Sequence, residues 1–258
     1  MGSNTEKNVN SSVMRSLLIL EYLSERDYGV SAIELCTNLS FNKATTYNLL
    51  YTLEECGYVS KRGDGKYHLT NRILILGNQF IHSQRIIGVF RQCTTALRRK
   101  YECCFNLASL NQNGNAIVLD SINTDKVGAG YAMPGSSLPL HATSTGKALL
   151  AFSSKHIIKK YMESPLGTFK YTKHTITTYP DMLREIGRIQ LQGYALDNKE
   201  YNENTCCSSA PIFDNNNKIV AAVSISGQSE YVMPRRPELI EETKKLAKRI
   251  STEIAKLE

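Results

Sequence analysis

The sequence predicts an α+β protein: an N-terminal winged helix-turn-helix, a linker helix, and a C-terminal domain built on an antiparallel sheet with flanking helices. Three observations carry this. At 258 residues the chain is long for one domain and comfortable for two. In the first third, apolar residues recur at helical spacing and then give way to two alternating stretches around Gly63-Asp64-Gly65, a strong hairpin signal. From Gly88 onward the pattern changes, with alternating stretches separated by Asn-rich turns and interspersed with helical ones. The implied division is 1–71 for the winged domain, 72–87 for the linker helix and 88–258 for the second domain.

Each element has a local reason. Val13, Leu17, Leu20, Tyr22 and Leu23 predict a first helix from about Ser12 to Glu25. Gly29 breaks the chain, and Ser31 with Glu34 has the capping-box spacing that opens a second helix, Ala32 to Leu39. Asn42 can cap a third helix with Thr46, Leu49, Leu50 and Leu53 on one face, and Gly57 ends it. Tyr58–Arg62 and Lys66–Thr70 then alternate as hairpin strands.

Three helices and a basic-tipped hairpin are the winged helix-turn-helix layout, whose third helix lies in the major groove of double-stranded DNA while the wing touches the backbone. With Thr46 and the leucines inward, Lys43, Thr45, Tyr47, Asn48 and Tyr51 remain outside, side chains suited to base edges or phosphates. Lys61, Arg62 and Lys66 crowd the hairpin tip with cations for phosphate. Residues 1–100 hold 13 Lys and Arg against 8 Asp and Glu, so +5 of the net +7 sits in this part. One such module offers little surface for tight specific binding, so a two-fold dimer on a palindromic operator is expected.

Asn71 can cap the linker helix, which runs through Ile73, Leu74, Leu76, Phe80 and Ile81. Leu17, Leu20, Leu76 and Phe80 exceed what one small domain would bury, which points to a dimer interface. Beyond it the pattern predicts a helix over Val89–Tyr101 and strands Cys103–Leu110 and Ala116–Ile122 around the turn Asn111–Asn115. Helices near Ser144–Phe152, Lys155–Met162 and Pro180–Gln192 follow, with strands at Tyr194–Asp197, Cys206–Phe213 and Lys218–Ser226 and a closing helix Pro237–Leu257.

Several classes are excluded. The apolar runs fall far short of the ~20 residues of a membrane span, and Met1–Asn10 is polar, so a cytoplasmic protein with no membrane role is expected. The seven cysteines contain no Cys-x-x-Cys; the doublets Cys103-Cys104 and Cys206-Cys207, on strands, put one thiol inward and one outward. Gly146-Lys147 fails as a phosphate loop, because His141 and Ala148 stand where a Gly and a Ser or Thr are needed. A pair of His141 with Cys207 would be the basis of a rival reading, an enzyme or metabolite-binding protein with a helical appendage, but no activating base is evident. The other histidines lack ligand spacing, so no metal, cofactor or catalytic residue is expected.

The run from Leu138 to Phe152, Leu-Pro-Leu-His-Ala-Thr-Ser-Thr-Gly-Lys-Ala-Leu-Leu-Ala-Phe, resembles a signature segment of the IclR family of bacterial transcription regulators almost letter for letter. Thr175-Ile176-Thr177, Gly193 to Asp197, Ala210 to Asp214 and Ala221 to Gly227 are similar to the family's later motifs, and Ser12-Val13, Arg15, Leu17 and Gly57-Tyr58-Val59 match its N-terminal ones. The chain departs from the pattern at Asn48, where members usually carry Arg. It departs again at Asn204, often a Gly, and at Cys206-Cys207-Ser208-Ser209, usually one Cys followed by apolar residues. The resemblance implies a GAF-like effector-binding domain, homodimers or homotetramers, and a ligand pocket at Leu138, Ser144, Thr145, Gly146, Asp197, Cys207, Ser224 and Ser226. Physical chemistry points the same way: Ser144–Gly146 opens a helix whose amides and dipole cradle an anion, and Ser224 and Ser226, two apart on a strand, share a face. A small organic acid is the expected ligand, its carboxylate on Ser144–Gly146 and a hydroxyl or carbonyl towards Asp197 or the serines.

Overall fold

The computed structural model describes residues 9–111, 114–124 and 131–256. The chain forms two compact units, up to Ser83 and from Gln84.

In the first unit, α1 (Ser11–Ser24), α2 (Ala32–Asn38) and α3 (Lys43–Glu55) precede a hairpin of β1 (Val59–Lys61) and β2 (Tyr67–Leu69). The caps are local: Asn10 Oδ1 accepts the Ser12 and Val13 amides, Ser31 Oγ the Glu34 amide, and Asn42 Oδ1 the Thr45 amide. Ile19, Leu23, Leu35, Leu49, Leu50, Leu53, Val59 and Tyr67 close the core. Leu20 packs partly against this core, whereas Leu17 stays exposed. The last helix of the unit, α4 (Arg72–Ser83), buries none of its residues and leaves Leu74, Ile75, Leu76 and Phe80 exposed. Its first amide, that of Arg72, goes to Thr70 Oγ1 at 3.1 Å rather than to an Asn71 side chain. Thr70 wins this role because its hydroxyl is already fixed by donating to the Gly57 carbonyl.

The second unit is a six-stranded antiparallel sheet in the order β5-β4-β3-β8-β7-β6. These strands are β3 (Cys104–Leu110), β4 (Ala116–Ile122), β5 (Ser137–Leu138), β6 (Ala195–Asn198), β7 (Thr205–Phe213) and β8 (Ile219–Gln228). Helices α5 (Arg85–Thr94), α6 (Leu97–Lys100), α7 (Ser144–Ala151), α8 (Lys155–Met162), α9 (Tyr179–Gln192), α10 (Ser229–Val232) and α11 (Arg236–Ala255) surround it. α5 and α11 pack against the sheet, where Thr243 of α11 meets Ser208 of β7. On the other face α7 leads a cluster with α8 and α9, built on Ala108, Leu140, Leu149, Met182, Ile189, Ala195 and Ala222.

Two sequence expectations change here. The helix predicted over Val89–Tyr101 is two, α5 and α6, because the adjacent hydroxyls of Thr94 and Thr95 turn back onto the Phe90 and Arg91 carbonyls and compete with the helical ladder. Cys103 and Cys104 are both buried, since helices cover both faces of the sheet, whereas of the second doublet Cys206 is buried and Cys207 half-buried. Strand β5 was not legible, being two residues long. Of the predicted turn Asn111–Asn115, Gln112 and Asn113 lie outside the described residues; the Asn111 amide reaches the Asn115 carbonyl at 2.8 Å. Among the described residues no helix is long and apolar enough to cross a membrane.

Candidate functional site

In the first unit, Thr46 is buried, its hydroxyl on the Asn42 carbonyl and 3.3 Å from Cys36 Sγ of α2. This fixes the rotation of α3, so that Lys43, Tyr47, Asn48 and Tyr51 are exposed and Thr45 is half-buried. Lys43, Tyr47 and Tyr51 are four apart and form one stripe, with Asn48 beside it. Glu54 Oε1 accepts the Lys61 amide at 3.0 Å, which ties the base of the hairpin to the end of α3. Lys61 and Arg62 are exposed, while Lys66 is half-buried with its ammonium 5.3 Å from the Tyr28 ring centre.

In the second unit, register builds a site from distant segments. Asp197 on β6 stands opposite Cys207 on β7, Cys207 opposite Ser226 on β8, and Ser226 opposite Cys104 on β3. The next row on that face runs Ser209, Ser224, Asn106 and Ser121. Asp197, Cys207, Ser226, Ser224 and Asn106, together with Leu138 and with Thr143, Ser144 and Thr145 at the start of α7, line a cavity of about 730 Å³. Tyr131, Ala132, Tyr201 and Gln228 are also part of its wall, with Asn202, Asn204, Thr205, Ser229 and Glu230 towards the loops. Seven of the eight residues picked from the sequence as ligand contacts thus face one space.

Gly146 does not line it. Its amide is spent on the Thr143 hydroxyl at 3.0 Å, so the expected three-amide cradle reduces to the amides of Ser144 and Thr145, the first two of the helix. Gly146 serves packing instead: a Cβ there would lie 2.4 Å from the Pro139 carbonyl oxygen and 2.6 Å from Leu140 Cα. Gly146→Ala is therefore expected to destabilise the unit by about 1–3 kcal/mol, since backbone must move. A urea midpoint equal to that of the wild type would contradict this.

Asp197 is 2% exposed, and its Oδ1 accepts the Glu200 amide at 2.7 Å and the Tyr201 amide at 3.4 Å. Burial dominates and pushes its carboxyl up to about 7; the Glu200 carboxylate adds to the rise, and the two amides and Lys147 oppose it. Burial, followed by the Asp197 carboxylate, holds the Cys207 thiol well above 9. The Cys207–His141 pair is not formed. His141 is fully buried, with Nδ1 2.9 Å from Tyr161 Oη and Nε2 2.8 Å from the Phe169 carbonyl. Because the Phe169 carbonyl can only accept, Nε2 carries the proton and donates to it, and Nδ1 of the neutral ring accepts from Tyr161 Oη, which itself accepts the Leu140 amide. Both ring nitrogens are used, and burial lowers the imidazole below its usual range, so neither member is an activated group.

Two features escaped the sequence reading. Lys147, in a helix whose every residue is buried, places Nζ 2.6 Å from both Glu200 carboxylate oxygens and 3.1 Å from Glu185 Oε1, while Arg188 holds the other Glu185 oxygen. A lysine ahead of Ala148-Leu149-Leu150-Ala151 was the available signal. Asn106 was signalled only by being the one amide among Cys104, Phe105, Leu107 and Ala108.

Residues 12–63 match the model of the IclR helix-turn-helix domain, and residues 78–252 that of the bacterial transcriptional regulator IclR C-terminal domain. The chain is 30% identical over 220 residues to the HTH-type transcriptional regulator KdgR of Escherichia coli, covering 84% of this chain and 81% of KdgR. It is 28% identical over 218 residues to the E. coli transcriptional repressor IclR, covering 84% and 79%. The crystal structure of an IclR homologue from Microbacterium hydrocarbonoxydans complexed with 4-hydroxybenzoate has the same fold, with a TM-score of 0.80 at 19% identity over 96% of this chain and 100% of that one.

Proposed function

This chain belongs to the IclR family of bacterial transcriptional regulators, DNA-binding proteins with an effector-binding C-terminal domain, and from that premise we propose that it senses a small organic acid in the cavity of its second unit. The observation that carries this reading is the cavity's chemistry. Two unspent amides at the start of α7 and the Ser144 and Thr145 hydroxyls offer donors at one place, and Asp197 offers a hydrogen-bonding partner elsewhere on the wall. A volume of about 730 Å³ suits a metabolite-sized ligand. The carboxylate sits on Ser144 and Thr145 with an oxygen towards Ser224, and a hydroxyl or carbonyl of the ligand faces Asp197. That a fold neighbour takes 4-hydroxybenzoate, a carboxylate with a distal hydroxyl, supports the class. Effector binding changes operator affinity through unequal affinity for two conformations of the protein. The protein acts in the cytoplasm, where its operator is.

Lys43, Thr45, Tyr47 and Asn48 contact the operator, and Lys61, Arg62 and Lys66 supply phosphate charge. A gel shift on the upstream intergenic DNA, with and without a metabolite extract, tests the whole reading. Each wing cation replaced by Ala should weaken binding to all sequences and lower the slope of log K against log salt by about one. A triple variant with the wild-type slope would remove the wing from the interface.

The DNA-bound form is a two-fold dimer, or a tetramer formed by two such dimers. Val13, Leu17 and Leu18 of α1 and Leu74, Leu76 and Phe80 of α4 are exposed apolar residues that a second copy would cover. Light scattering at micromolar concentration should give at least twice the monomer mass of 28.9 kDa. A strictly monomeric species contradicts this.

A further inference from the structure

We infer that Asn106 sets the direction of the hydrogen bonds on the cavity floor, turning the Ser224 hydroxyl into a donor aimed at the ligand and so selecting an acceptor group such as a carboxylate over its amide. The inference deepens the effector-cavity reading above and rests on it.

The orientation of the Asn106 side chain follows from its neighbours. Its Oδ1 lies 3.3 Å from the Ala132 amide, and a backbone N–H can only donate, so the atom facing Ala132 is the carbonyl oxygen. Ser121 Oγ donates to the same oxygen at 2.6 Å. The opposite end is therefore Nδ2, which donates to Ser226 Oγ at 3.0 Å and to Ser224 Oγ at 3.3 Å. A hydroxyl that accepts from Asn106 must send its own proton elsewhere. Ser226 Oγ–H has the Cys104 carbonyl at 3.4 Å. No protein acceptor for the Ser224 proton is present among the described residues, and Ser224 lines the cavity. The polarity thus runs from the Ala132 amide through the carboxamide to Ser224 and into the cavity. Asn106 is 4% exposed and stands directly across from Ser224 on the neighbouring strand, so water does not compete for these bonds.

Asn106→Asp keeps the shape and the acceptors for Ala132 and Ser121 but replaces the donor by an oxygen. Ser224 and Ser226 then donate to the introduced carboxylate, and the floor presents acceptors and negative charge. Calorimetry on the full chain should use matched pairs, 4-hydroxybenzoate with 4-hydroxybenzamide and lactate with lactamide. Wild-type protein should prefer the acid of a bound pair by tenfold or more, and N106D should lose at least 100-fold in acid affinity and reverse the preference. General damage would weaken both members alike, so the acid-to-amide ratio isolates the effect of polarity. A folded N106D that keeps the wild-type ratio overturns the inference. Acid binding that is unaffected by Ser224→Ala also overturns the inference, whereas no binding of any pair to wild type overturns the effector-cavity reading. Neutron diffraction from deuterated wild-type crystals tests the inference without a ligand. The Ser224 deuteron should point into the cavity, and a deuteron directed at Asn106 overturns the assignment.

Discussion

Replacing Lys147 by methionine is expected to destabilise the second unit by about 3–5 kcal/mol, the range for removing one partner of a buried ion pair. The magnitude follows from what is left behind. Lys147 is fully buried, and the side chains of Glu185 and Glu200 are only 5% and 7% exposed. Glu185 would keep Arg188, but Glu200 would retain only a long bond from the Asn198 amide at 3.4 Å. Its charge would then be buried without a cation. The sign with pH distinguishes this cause from lost packing. Burial already raises the Glu200 carboxyl while Lys147 opposes the rise, so without the lysine it rises further. A carboxyl raised in the folded state favours folding below its unfolded value, and that contribution is lost as pH rises through the folded value. The K147M deficit, read from urea midpoints, should therefore be smaller at pH 5 than at pH 8. An equal deficit at both would mean that packing, not charge, is what the lysine supplies. Replacing the lysine and Glu200 together by apolar residues should recover much of the loss.

Asp197 carries the second large effect, on ligand affinity. With its carboxyl raised to about 7, the residue is neutral below that pH, and it presents a proton at Oδ2 because Oδ1 is occupied by the Glu200 and Tyr201 amides. Above that pH it is an anion in the cavity that also takes the ligand's carboxylate. Affinity for a carboxylate effector should be flat from pH 5.5 to 6.5 and fall towards tenfold per unit above about 7, as one linked proton requires. The contribution of Asp197 to stability without ligand moves in the same sense: it is fully present below the unfolded value of 3.8 and is lost as pH rises through about 7. Asp197→Asn keeps an acceptor for the two amides and a donor at the other atom, so it should bind with little pH dependence. Asp197→Ala should abolish the effector response of DNA binding while leaving operator affinity without effector nearly unchanged. Calorimetry across pH 5.5 to 8.5 checks both variants, and an unaltered affinity in D197A would remove the residue from the site.

What the sequence by itself determined is the set of features that a few neighbouring residues decide. Ser31 and Asn42 cap their helices because a side-chain oxygen reaches an amide three residues on. Thr46, Leu49, Leu50 and Leu53 face inward because a helix repeats every 3.6 residues. The hairpin around Gly63-Asp64-Gly65 forms because Gly65, with φ of +80°, tolerates the turn. Seven cavity residues were legible through the resemblance of the Leu138–Phe152 run and the later motifs to a known family, whereas spacing alone linked only Ser224 with Ser226.

Only the tertiary structure decided the rest, because it depends on pairing between segments far apart in the chain. The row from Asp197 through Cys207 and Ser226 to Cys104 exists by strand register, which no local pattern specifies. Burial of Lys147 and its partnership with Glu200, 53 residues away, followed from α7 being enclosed on all sides. The donor direction of Asn106 depends on Ala132 and Ser224, brought together by β3 lying between β4 and β8. The amide of Gly146 looked available for an anion until the fold placed Thr143 as its cap, since an amide is free only when no neighbour has already taken it.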